Sequence, residues 1–156
     1  MIKNFRLLLI ILLLVSCKQQ QRLSANASEQ DNELLFSMSS SSCMGPCPVY
    51  EIALYADSTL VFKGEENTKL QGLNQKKLSA GEFDAFMGLI KMVKWNELNP
   101  RYVSDMSDLP SQEYYYNFEG NNIAVYKYGL EPKSLAELNR AILPFVYHDI
   151  FGMQKE

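Results

Sequence analysis

The chain has 156 residues, 47% of them hydrophobic, with 15 lysines and arginines against 18 aspartates and glutamates and a formal net charge of −3. That acidic balance excludes nucleic acid as an expected partner, and it excludes docking on an anionic leaflet through a polybasic patch, because both need clustered cations. One histidine and three cysteines leave few ligands, so no cofactor and no structural zinc are expected.

Lys3 and Arg6 form a short positive region, and Leu7 to Val15 is wholly aliphatic. The run is too short to cross a bilayer, which takes a helix of about 20 residues, and it reads as an export signal over residues 1–16. It ends Leu14-Val15-Ser16-Cys17, which resembles the bacterial lipobox. The resemblance implies cleavage after Ser16 and acylation of Cys17. Each buried methylene contributes about 0.8 kcal/mol, so two or three acyl chains hold nearly permanently. The partner implied is a membrane reached through lipidated Cys17, and the location a bacterial cell envelope. Lys18 is not the aspartate that retains some lipoproteins in the inner membrane, so the outer membrane is favoured. Loss of Lys3 and Arg6 leaves 13 of the 15 basic side chains against 18 acidic ones, a charge of −5.

Residues 17–32 then comprise the lipidated cysteine and the stretch KQQQRLSANASEQDN, too polar to offset the entropy of folding. We read it as a flexible tether with a root-mean-square span of roughly 20 Å. Residues 33–156 suit a single globular domain.

In that domain Leu34 to Ser39 reads as a strand, and Val49 to Ala56 alternates, with Tyr50, Ile52 and Leu54 on one face. Asp57-Ser58 supplies turn chemistry, and Thr59 to Lys63 returns as the second arm of a hairpin. One further extended segment is expected between Asn67 and Leu78. Ser79 with Glu82 three residues on is a capping box, followed by Phe83, Phe86, Met87, Ile90 and Val93 at helical spacing. After Trp95 a loop is expected through Asn99-Pro100 and Asp105 to Pro110. Ser111 to Phe118 and Asn122 to Tyr128 read as a second hairpin, and Leu135, Leu138, Ile142 and Phe145 mark a second helix that Pro144 should kink or end. The order strands, helix, strands, helix predicts an α+β fold: an antiparallel sheet of about five to six strands with two helices packed on one face.

Cys43 and Cys47 are an even pair in an exported chain, with Gly45-Pro46 between them to bend the backbone, so a disulfide is expected. The alternative is a copper-binding thiol protein, since Cys-x-x-x-Cys-Pro with a distant histidine resembles the copper loop of Sco-type assembly factors and Cys43, Cys47 and His148 make a soft ligand set. Against it, that family needs a helix after the cysteines, and here the following residues alternate as a strand.

Cys43-Met-Gly45-Pro-Cys47-Pro48-Val-Tyr50 leading into a strand resembles the opening signature of a family of uncharacterised envelope lipoproteins, the domain of unknown function 6438. The similarity runs from about Leu34 to Phe151 and implies fold and location, not an activity. One departure is Asp57-Ser58, where the family commonly shows Asp-Gly.

For function, any serine triad would have to run through His148, and no Gly-x-Ser-x-Gly elbow or His-Glu-x-x-His helix accompanies it, so an enzyme is not expected. Two candidate binding surfaces remain. Asp105 and Asp108 lie in a loop where acidic residues also serve as ordinary turn formers. Tyr114, Tyr116 and Phe118 are expected to join the core, leaving Tyr115, Tyr126 and Tyr128 as an aromatic strip on the other sheet face, suited to an envelope protein or a glycan ring. The expected function is a membrane-anchored lipoprotein whose domain binds or scaffolds.

Overall fold

The computed structural model describes residues 32–154; the signal, Cys17 and the tether lie outside the described residues. Seven strands, β1 (Leu34–Ser40), β2 (Val49–Tyr55), β3 (Thr59–Glu66), β4 (Gly72–Lys77), β5 (Arg101–Val103), β6 (Ser111–Phe118) and β7 (Asn121–Tyr128), form one sheet in the order β4-β3-β2-β1-β6-β7-β5. Two helices complete the α+β fold, α1 (Ala80–Lys91) and α2 (Lys133–Pro144).

The expected strands are all present, and one more. The seventh, β5, lies inside the segment read as a loop, and it pairs parallel to β7 where an all-antiparallel sheet was expected. Three residues are too few for alternation to register, and β5 is held by backbone bonds that only the fold supplies: Tyr126 N donates to Pro100 O at 3.0 Å and Ser104 N to Tyr128 O at 2.9 Å. The sheet is therefore mixed.

Alternation decides which side each strand buries. Phe36 and Met38, Ile52 and Leu54, Leu60 and Phe62, Tyr114 and Tyr116, and Val125 all point to one face, where Phe86, Ile90, Leu135, Leu138 and Ile142 of the two helices close over them in a single core. Full burial of an aliphatic or Phe side chain contributes about 1.5–3 kcal/mol, so this layer contact is what holds the domain together. Trp95 seals one side of it, stacked on Tyr116 with ring centres 5.0 Å apart and its indole N–H donated to Ile90 O at 3.0 Å.

Local chemistry sets the element ends. The Ser79 hydroxyl accepts from Glu82 N while Ser79 N donates to the Glu82 carboxylate at 2.8 Å, so the capping box starts α1 as expected. At the β2–β3 turn Ser58 holds a positive φ of 67°, a conformation that glycine adopts without steric cost. Asp57 secures the turn instead, accepting from Thr59 N at 3.0 Å and from the Thr59 hydroxyl at 2.9 Å. Pro144 ends α2 as a regular helix, yet the chain does not turn away: it widens into a π-helical segment, Phe145–Ile150. Proline lacks the N–H that the α-helical ladder needs, and the wider winding lets Val146, Tyr147 and Ile150 still reach the core.

Candidate binding face and disulfide loop

The helices cover one face of the sheet, and the pleat turns every second residue toward the other. The register puts these into rows. Ser39 of β1 sits between Glu51 of β2 and Glu113 of β6; Glu113 is opposite Tyr126 of β7, and Tyr126 opposite Arg101 of β5. One row further along, Ser37 faces Tyr115, and Tyr115 faces Ala124. Small side chains thus lie between large ones, and the result is an open groove of about 510 Å³ lined by Ser37, Ser39, Arg101, Glu113, Tyr115, Ala124 and Tyr126. A smaller groove of about 220 Å³ shares Ser39 and Glu113 and continues toward Glu51 and Glu65.

The three tyrosines of the expected strip all lie on this face, each half-buried and not fully exposed. They differ in use. The Tyr126 ring carries the Arg101 guanidinium 4.5 Å from its centre, and the Tyr115 hydroxyl accepts from Asn122 Nδ2 at 3.3 Å. Tyr128 lies beyond the groove, where its hydroxyl accepts from Leu109 N at 3.4 Å and braces the preceding loop. That loop carries Asp105 and Asp108. Asp108 has a positive φ of 65°, its carboxylate accepts from Ser107 Oγ at 3.0 Å, and its carbonyl accepts from Met44 N at 3.3 Å. The loop thereby abuts the cysteine loop.

Cys43 and Cys47 are joined in a disulfide with Cα atoms 5.8 Å apart, and Cys47 O accepts from Asn67 Nδ2 at 3.1 Å. Met44 at its tip is 84% exposed. Both sulfurs are therefore engaged with each other. His148 sits in the π-helical segment, its Nδ1 2.8 Å from Met153 O. Among the described residues no group of three or more His, Cys, Asp or Glu side chains is assembled in a way that could hold a metal ion, so Cys43, Cys47 and His148 are not gathered as such a site.

A polar network on the buried face was not anticipated. Lys127 is only 9% exposed, on the helix side of β7. Its ammonium donates to Gln112 Oε1 at 2.8 Å and pairs with Glu131; Asn139 of α2 donates to the same Gln112 oxygen at 2.9 Å, and the Tyr114 hydroxyl lies 2.8 Å from both Gln112 Oε1 and Asn139 Oδ1. Burial pushes the Tyr114 phenol above its usual range, and that of Tyr50 further. The signal was in the pattern, since Gln112 and Lys127 fall in phase with the apolar positions Tyr114 and Val125, but polar side chains there score as breaks in a strand. With every partner satisfied, the network fixes how α2 seats on the sheet.

A family described as Domain of unknown function (DUF6438) has a model that matches residues 34–145, from the first residue of β1 to the first residue after α2. Against curated proteins the chain has no match.

Proposed function

Because this chain belongs to the DUF6438 family, a domain of unknown function, we propose its role from its own residues: a lipid-anchored bacterial envelope protein whose domain binds a partner through the uncovered face of its sheet. The observation that carries the reading is the groove between Tyr115 and Tyr126. Half-buried tyrosines over a floor of serine and alanine offer flat apolar surface with polar edges, the combination that suits a ligand of mixed character. The anchor rests on the signal-like residues 1–16 and on Cys17; among the described residues no helix is long and apolar enough to cross a membrane. Outer-membrane placement rests on Lys18 alone.

Two measurements test this. Fractionated cells fed labelled palmitate should hold the chain in the membrane with the label attached, and Cys17→Ser should abolish the labelling; a membrane-held chain without label would refute the anchor. Detergent-solubilised full chain should capture an envelope component, and Tyr115→Ala with Tyr126→Ala should abolish the capture. Capture indifferent to both changes would move the binding surface elsewhere.

A further inference from the structure

Glu113 and Arg101 flank Tyr126 in a single row of the outer face, one on β6 and the other on β5. Adjacent strands lie about 4.8 Å apart, so their Cα atoms stand roughly 10 Å from one another across the tyrosine. Two long side chains of opposite charge at that spacing are able to meet, and here they do not: the Arg101 guanidinium lies over the Tyr126 ring, and among the ion pairs of the described residues none joins it to Glu113. With its Cζ 4.5 Å from the ring centre, the guanidinium keeps N–H donors for a ligand, and arginine takes a carboxylate by two parallel bonds. The same groove is also lined by the small side chains Ser37, Ser39 and Ala124, which leave room for a chain of a few atoms beside Tyr126.

We propose that this groove binds a zwitterionic ligand derived from an amino acid, its carboxylate on Arg101, its ammonium on Glu113, and the connecting carbon chain over Ala124 and against Tyr115. The proposal rests on the reading of the outer face as the binding surface and names the chemistry that surface selects. Charge arrangement supplies the selectivity. An anion alone uses Arg101 and leaves Glu113 unmatched, and a cation alone does the reverse, so a ligand with both charges at the matching spacing gains two contacts where either analogue gains one.

The test is a titration of the full chain, 15N-labelled in detergent micelles, with 6-aminohexanoate, hexylamine and hexanoate. The zwitterion should shift the Ser39, Ala124 and Tyr126 amides saturably, and each singly charged analogue should bind at least about tenfold more weakly, a difference of about 1.4 kcal/mol. Arg101→Gln and Glu113→Gln, both at exposed positions, should each weaken the zwitterion about tenfold or more with an unchanged thermal midpoint. Equal binding of all three compounds, absence of binding by 6-aminohexanoate, or indifference to both variants overturns the proposal. If the zwitterion fails while envelope capture still depends on Tyr115 and Tyr126, the inference falls and the binding face stands; if both fail, the face itself is wrong.

Discussion

Glu82 answers to three groups at once. Its carboxylate takes the Lys76 ammonium at 2.6 Å, and the Ser79 backbone N–H and hydroxyl at 2.8 and 2.9 Å. The lysine first, then the two Ser79 bonds, hold its carboxyl down to about 2 from an ordinary 4.5. A carboxyl depressed in the folded state contributes stability that is present above its unfolded pKa and is lost as pH falls through the folded one. Glu82→Gln should therefore be less stable than the parent at neutral pH, and the gap should narrow as pH drops from about 4.5 toward 2. Urea unfolding at a series of pH values checks this; a gap that stays constant across that window would remove the charge from the explanation. The Ser79 half of this arrangement was legible, because a cap and its third residue are neighbours in the chain. Lys76 was not: it reaches Glu82 from β4 and also donates to Ile150 O at 2.7 Å, 74 residues away. Lys76 is six residues from Glu82 but in a different element, and no local pattern records where a strand residue meets the helix after it.

Among the elements, the disulfide loop shows what a local crosslink does in this fold. It joins the end of β1 to the start of β2, and its backbone is tied to two other loops through Met44 and Cys47. A bridge closing so few residues removes little entropy from the unfolded chain, worth about 2 kcal/mol. Replacing Cys43 and Cys47 together by serine should lower stability by about that amount while leaving the fold and the outer-face groove in place. Chemical denaturation with far-UV circular dichroism measures it, and collapse of the fold would show that the bridge is essential to it. The spacing Cys43-x-x-x-Cys47 made the pairing readable in advance, as strand alternation did for β1, β2, β3, β6 and β7. β5 escaped because a three-residue strand has no period, and its partner bonds come from a strand that follows it in the chain. The π-helical segment escaped for a related reason: Pro144 predicts only that an α-helical bond is missing, and the core beneath Val146, Tyr147 and Ile150 decides how the chain continues.

For the molecule as a whole, the described domain is tied down from its first residues. Glu33 O accepts from Ala56 N at 2.8 Å, Asn117 Nδ2 donates to Glu33 Oε1 at 3.0 Å, and Leu35 is only 7% exposed. A chain beginning at Phe36 should accordingly be less stable than one beginning at Asn32 by at least about 2 kcal/mol, through the loss of Leu34 and Leu35 and of their pairing in β1. Thermal melts of the two truncations decide it, and equal midpoints would place the start of the domain further along.

By itself the sequence determined the α+β class, the arms of both hairpins, the cap of α1, the cysteine pair, and the inward placing of Tyr50, Tyr114 and Tyr116, because each of these follows from residues close together in the chain or from a period of two or 3.6. Only the tertiary structure decided the seventh strand with its parallel pairing, the Lys127 network, and the placing of Arg101 and Glu113 on either side of Tyr126. Those depend on sheet order. β6 and β7 are followed in the sheet by β5, which precedes both in the sequence, and no local pattern in the chain records which strand will close an edge.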